Sequence, residues 1–290
     1  MGVWSTAQAV LDGVLLGALY ALVGMGMALI FGVMRLVNFA HGAFLMLAMY
    51  ATYVLFERLH VNQYLGFIAA AALLFGLGVV SYRFLLRRVA ERSDFMQILL
   101  TLGLSLIVTD GVQLIFGADY RQINFPLMST SWRIGRLHFN APWVLSFAIT
   151  AVLAVAIYLF VMRSRFGRAL RAIAQNRYAA GLVGIDVQRT QALAFGLGLA
   201  TVGVAGGLLL PLFYTYPAVG EQYTLKAFVI VVLGGMGSIA GAAIAGLVLG
   251  VVEELTSLFW GNQWALVVEF AIFLVVLSVR PSGLFGSQRA

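Results

Sequence analysis

The stretch AFVIVVLGGMGSIAGAAIAGLVLGVV, Ala227 to Val252, decides how this chain is read. It carries no charged side chain, lacks the apolar-polar alternation of a barrel strand, and far exceeds the roughly 4 to 8 residues of a buried strand. It is therefore a membrane-length helical segment, about 20 residues being enough to cross a bilayer. Its centre argues against one straight rod. Gly234, Gly235 and Gly237 fall within four positions, and each glycine inside a helix costs about 1 kcal/mol relative to alanine. A broken or re-entrant helix is expected. Irregular backbone at membrane depth survives only where it is buried in protein or lines a wet cavity, so the break points toward a pathway.

The rest of the chain agrees with that reading. Its 290 residues are 62% hydrophobic and 10% charged, with a mean hydropathy of +0.98; soluble domains carry roughly a quarter charged residues. Seven further apolar stretches run approximately over 10–31, 39–56, 65–86, 97–116, 143–162, 190–214 and 264–279. The expected fold is all-α: a polytopic membrane helix bundle of about eight apolar segments, forming a single domain over 1–290 with a cytoplasmic segment at about 163–189. No room is left for a soluble catalytic domain. Cysteine is absent, which excludes thiolate metal sites and cysteine nucleophiles. His41, His60 and His138 are too scattered to suggest a metal motif. Lysine occurs once, at Lys226, followed by Ala227, so a phosphate-binding Gly-Lys-Ser/Thr motif cannot be written. If ATP drives transport, another chain hydrolyses it. The formal charge of +7 serves membrane orientation first, and no nucleic-acid partner is expected. Met1 to Val10 carries no positive side chain, and the apolar stretch after it is too long for a signal-peptide core.

Sidedness follows from the connections. The turn holding Arg83, Arg87, Arg88 and Arg92, and the loop Arg163 to Arg189 with six arginines against one acid, are expected on the cytoplasmic side. Two crossings between them place Gly117 to Pro142 outside, with Glu57 to Tyr64. Walking back puts Arg35 inside and the N-terminus outside. The tail, with Arg280 and Arg289, also belongs inside, but three full crossings after Arg189 would put it outside. One segment must be unusual, and Ala227 to Val252 is the candidate. A weak echo of its glycine break, Gly32 to Ala43, precedes a helix in the first half, as paired interruptions in transporter repeats do; Gly-Ala runs also arise in any tightly packed membrane helix. The small-residue runs Gly196 to Gly198, Gly203 to Gly207 and Gly241 to Gly250 permit close helix approach within one subunit or between two.

The loop Arg163 to Asp186 reads as a short helix. Arg168, Arg171 and Gln175 share one face, while Leu170, Ile173 and Ala174 form the other. Gly184 suits a helix stop, and Asp186 the N-cap of the next span. Such a helix can pass force to a soluble partner; from charge alone, an anchor on lipid headgroups is the simpler reading.

Four motifs taken together add a resemblance. GVMRLVNFAHG at Gly32 to Gly42, FGRALRA at Phe166 to Ala172 continuing to LVGI at Leu182 to Ile185, VLGGMGS at Val232 to Ser238, and RPSGLFG at Arg280 to Gly286 resemble the permease subunits of high-affinity branched-chain amino-acid ABC importers, the LivH-like member of the permease pair, over essentially the whole chain. The resemblance implies a LivM-like second permease, two ATP-binding subunits that hold ATP and magnesium, and a periplasmic substrate-binding protein, all at a bacterial inner membrane, with no cofactor on this chain and no catalysis by it. It implies that Gly167 to Gly184 docks on an ATPase, with Arg168, Arg171 and Asn176 as contacts. Met236 stands where many relatives carry isoleucine; both are apolar.

Other polar residues allow two readings each. Asn38 and His41, with Gly42, could gate the inner mouth or bond exposed backbone, as Gly234, Gly235 and Gly237 could line the pathway; a helix cap is the stronger reading for Asn38. Asp110 and Glu269 are acids within or near apolar spans and so candidates for the pathway. The stronger reading places Asp110 at the outer interface, with Glu253, Glu254 and Glu269 ringing the outer mouth in solvent. No acid, histidine and nucleophile are grouped, and Ser105 and Asp110 lie about a turn and a half apart. The alternative to an ATP-driven importer is a stand-alone ion-coupled carrier or channel, for which Asp110 and His41 would bind ions. The sequence does not choose among branched-chain amino acids, other amino acids, amides, urea or small carboxylates.

Overall fold

A computed structural model describes residues 2–89 and 93–285; Arg92, Gly286 and Arg289 lie outside the described residues. The chain is a bundle of α1 (Val3–Met34), α2 (His41–Leu59), α3 (Gln63–Ser81, continued by a π-helical turn at Tyr82–Leu86), α4 (Asp94–Phe116), α5 (Ala141–Arg163), α6 (Arg165–Gln175), α7 (Arg177–Leu182), α8 (Val187–Leu209), α9 (Val219–Gly234), α10 (Ile239–Trp260) and α11 (Ala265–Val279). Eight helical segments are long and apolar enough to cross a membrane, which makes this a multi-pass membrane protein. The outer connection carries a small hairpin, β1 (Ser131–Ile134) against β2 (Leu137–Asn140), antiparallel with Trp132 opposite Phe139.

α1 is the axis. It packs along α10, α8 and α9, and small residues set how closely α10 approaches: a methyl built on Gly13 would lie 2.6 Å from Val251 Cα, and one on Gly17 2.8 Å from Leu247 Cα. The two helices are antiparallel, and their pairing places Gly237 beside Gly32, near the C-terminal end of α1. α3 and α8 meet in the same way, with Gly203 against Ala71 and Gly78 against Gly196. The glycine runs of α8 and α10 therefore pack helices inside this subunit.

Ala227 to Val252 is two helices rather than one crossing. α9 ends at Gly234, Gly235 and Gly237 take φ of 91° and 87°, a region that costs a side chain about 1–2 kcal/mol, and Ser238 Oγ accepts from Gly241 N at 3.0 Å to cap α10. The break sits beside the C-terminal end of α1. It also decides at which end of the bundle the tail lies. α9, though only 16 residues long, returns the chain to the inner end, so α10 and α11 bring Arg280 to that same end. There Leu284 N donates to Leu233 O at 2.8 Å.

The first-half interruption has another shape. Arg35, at φ 52°, ends α1, and residues 36–40 fold back along it until His41 Nε2 reaches Val23 O at 3.0 Å. Val23 is eleven residues before Met34, roughly 16 Å back along the axis, so α2 begins deep within the bundle. On the outer side, Arg121 and Thr215 exchange backbone hydrogen bonds of 2.9 and 2.8 Å. The Arg121 guanidinium donates to Phe116 O at 2.6 Å, tying the residue that pairs with Thr215 to the end of α4.

Candidate functional site

The inner end is built around α6 and α7. The expected single helix is two, because Asn176 adopts extended backbone and its Oδ1 accepts from Ala179 N at 3.0 Å, capping α7. Ser164 Oγ caps α6 through Gly167 N at 2.9 Å. Gly167 is buried against α5, where the Val161 carbonyl occupies the place of any side chain. Leu170 and Ile173 are buried and Arg168 and Gln175 exposed, as the two-faced pattern requires. Arg171 works inward: its guanidinium donates to Val161 O at 2.5 Å and Met162 O at 3.1 Å, satisfying the last carbonyls of α5. Leu170 and Arg171 share a small cavity, about 60 Å³, with Gly32 and Gly237, so this segment packs on α1 and faces the turn between α9 and α10 across that cavity. Gly184, at φ 86°, stops the segment, and Asp186 Oδ1 caps α8 through Arg189 N at 2.9 Å. Tyr178, Leu182 and Val183 stand exposed here, forming with Arg177 and Val187 an open, mostly apolar surface. Sequence reasoning attended to the charges and passed over these side chains, although all three lie inside the loop it singled out.

A second junction lies at the start of α2. Asn38 and His41 are fully buried. Asn38 Oδ1 accepts from Ala40 N at 3.1 Å, a cap-like turn just ahead of the helix. His41 donates through Nε2, since the Val23 carbonyl can only accept. Gly42 N donates to Thr224 Oγ1 at 2.9 Å, and Gly42 lies backbone to backbone with Gly220 at the start of α9. Asn38 Nδ2 and His41 Nδ1 find no partner among the described residues, so this is a polar flaw in an apolar core.

The largest departure from expectation is a charge cluster. Lys226 Nζ donates to Glu253 Oε2 at 2.5 Å, to Tyr20 Oη at 3.0 Å and to Glu269 Oε1 at 3.3 Å. Lys226 is 5% exposed and Glu269 1%. Glu269 and Glu253 therefore do not ring a solvated mouth; they join α11 and α10 to α9 and α1 inside the bundle. Only Glu254 matches that expectation, lining an outer cavity of about 300 Å³ with Gln8, Asp12 and His138. Asp110 is exposed on α4, remote from the cluster in the packing of helices. The one signal for Lys226 was its being the only lysine, one residue before the stretch that decided the fold.

Residues 9–277 match the family described as the branched-chain amino acid transport system permease component. The chain is 35% identical to the high-affinity branched-chain amino acid transport system permease protein LivH of Escherichia coli K12, over 96% of this chain and 95% of that protein. It is 31% identical to the permease protein BraD of Pseudomonas aeruginosa, with the same coverage of both chains. The chain belongs to this permease family. LivM of Escherichia coli K12, named for the same transport system as that organism's LivH, is also similar, at 26% identity over 98% of this chain and 71% of LivM. No solved structure matches. The matched residues run from within α1 to within α11 and include α6, α7, the start of α2 and the Lys226 cluster.

Proposed function

We propose that this permease forms part of the transmembrane pathway of a binding-protein-dependent ABC importer for branched-chain or closely related small amino acids, in a bacterial inner membrane. A LivM-like permease pairs with it, two ATP-binding subunits hold ATP and magnesium, and a periplasmic protein delivers the substrate. The chain itself binds no cofactor and catalyses no reaction. The observation that carries this reading is the α6–α7 segment, held between two spans, anchored by Arg171 on the end of α5 and presenting Arg168, Tyr178, Leu182 and Val183 outward. A basic and apolar surface outside the membrane, rigidly tied to the spans, suits docking of a soluble motor. Arg171 is partly buried against α5, whereas Arg168, which also donates to Arg163 O at 3.3 Å, stays exposed, so the docking face is Arg168 with the α7 side chains.

The test is an Arg168→Glu/Leu182→Asp variant, purified with its partners from membranes and assayed for uptake in vesicles. The expected result is loss of bound ATPase with the permease still inserted. Full ATPase content and undiminished uptake would overturn the docking assignment. Uptake driven by a sodium or proton gradient without ATP would favour the stand-alone carrier instead.

A further inference from the structure

α4 is attached to the bundle along one side, chiefly against α2. The face it turns away is apolar, with Met96, Leu99, Leu106, Ile107, Leu114 and Ile115 between 51 and 88% exposed. Lipid would suit such a face, were it not for Asp110. Met96, Leu99, Gly103, Leu106, Asp110 and Gln113 recur at alternating spacings of three and four, the seam along which one helix meets another. Asp110 is exposed in that seam and has no hydrogen bond or ion pair to any described residue. Nor does it lie at the rim. Leu114 and Ile115, 88 and 75% exposed, continue the apolar band beyond it, and Phe116 at the helix end is six residues, about 9 Å, further out. An aspartate is too short to bring its carboxylate to water from there, and acids at such depth face protein or a wet cavity rather than acyl chains. Gly103 lies on the same seam with nothing within 4 Å of a methyl built on it, so a neighbouring helix has room to come close.

We propose that the Met96–Gln113 seam of α4 is the docking face for the second, LivM-like permease, which offers Asp110 a basic or hydrogen-bond-donating side chain within the membrane. The proposal rests on the importer reading above. A soluble subunit cannot reach this depth, and lipid tails offer no donor; a polytopic partner satisfies both conditions. Two permeases named for one transport system in one organism, each similar to this chain, make a related permease the natural occupant. The glycine runs that would otherwise compete for this role are already used: Gly13, Gly17, Gly203, Gly246 and Gly250 pack against neighbours in the same chain.

The naturally cysteine-free chain makes the test direct. Single cysteines at Leu99, Leu106 and Gln113, and as controls at Val152 on α5 and Leu274 on α11, carry a thiol-linked photocrosslinker in membranes containing the whole importer. The expected result is a permease–permease adduct from the three seam positions, weaker by fivefold or more at the controls. Asp110→Leu should lower recovery of the second permease by about tenfold, the scale of one charge-assisted hydrogen bond, and Asp110→Asn by less. Adducts from α5 or α11 alone, an adduct between two copies of this chain, or free labelling of the seam by a water-soluble maleimide without any permease adduct would each overturn the docking face. Those outcomes leave the importer reading standing. Failure to capture any permease from any face, with ATP-driven uptake intact, would instead overturn the two-permease architecture.

Discussion

Replacing Lys226 by methionine keeps the length and apolar bulk of the side chain but removes its charge and three donors. Glu253 and Glu269 would then face Tyr20 and each other without a cation, at a place where the Lys226 and Glu269 side chains are 6 and 1% exposed. Removing one partner of a buried ion pair costs about 3–5 kcal/mol, because the other charge is left without compensation. Glu253, 15% exposed, keeps some solvent, so the lower end, about 3 kcal/mol, is the better figure. At roughly 2–4 °C per kcal/mol for a chain of this size, the melting temperature should fall by about 6–12 °C. Tryptophan fluorescence of the purified permease, which has five Trp, reads the transition. The decisive comparison is the triple variant Lys226→Met/Glu253→Gln/Glu269→Gln. Neutralising all three groups together removes the uncompensated charge and should recover most of the loss, since a buried ion cluster replaced as a unit is often neutral for stability. A Lys226→Met protein that melts within a degree of the parent, or a triple variant no more stable than the single one, would refute the idea that these helices are held by mutual charge.

Arg171→Ala should free the last carbonyls of α5 and fray α6, at a cost of about 2 kcal/mol for two hydrogen bonds from a charged donor, whereas Arg168→Ala, which loses one exposed 3.3 Å bond to Arg163 O, should cost well under half of that; hydrogen exchange across 163–175 separates the two. Gly237→Ala places a side chain at φ 87°, with its methyl 3.0 Å from Gly32 Cα, and should cost about 1–2 kcal/mol in a melt, while Gly181→Ala, which meets nothing within 4 Å, should be neutral. Asp186→Ala removes the cap on Arg189 N and should lower stability by about 1 kcal/mol, with Asp186→Asn retaining most of it.

The spans, the glycine break and the ends of the α6–α7 segment were legible because each depends on residues close in sequence. An apolar run, a glycine at positive φ and a side-chain cap all declare themselves within a few positions, as Gly184 and Asp186 did. The charge cluster was not legible, because Lys226, Glu253 and Glu269 come together only through the packing of α9, α10 and α11, and each carboxylate taken alone reads as a solvated interfacial acid. For the same reason the sequence assigned Arg171 to a partner: the carbonyls it satisfies belong to the end of the preceding helix, and helical periodicity alone cannot tell an outward arginine from one that turns back. The neighbour of the glycine break was not legible, because periodicity fixes where a helix stops, whereas the pairing of Gly237 with Gly32 is set by packing.

Along α9 these features fall in one line. Gly220 and Thr224 meet the deep start of α2, Lys226 binds α1, α10 and α11 half a turn further on, and Gly235 to Gly237 rest beside Gly32 and the cavity that Leu170 and Arg171 also line. Between Thr224 and Gly234 the helix has no glycine or proline, so nothing along it provides a hinge. A displacement of the α6–α7 segment toward the Gly235–Gly237 turn would therefore act on a stiff helix whose other end contacts the start of α2. The positive-φ glycines allow bending only at the Gly235–Gly237 end, and the Lys226 cluster fixes the helix laterally near its middle. Motion of α9 alone would break the three hydrogen bonds of Lys226, so a small displacement is more cheaply accommodated by α1, α9, α10 and α11 moving as a block, with the Gly42–Gly220 contact as the boundary at which that block meets α2.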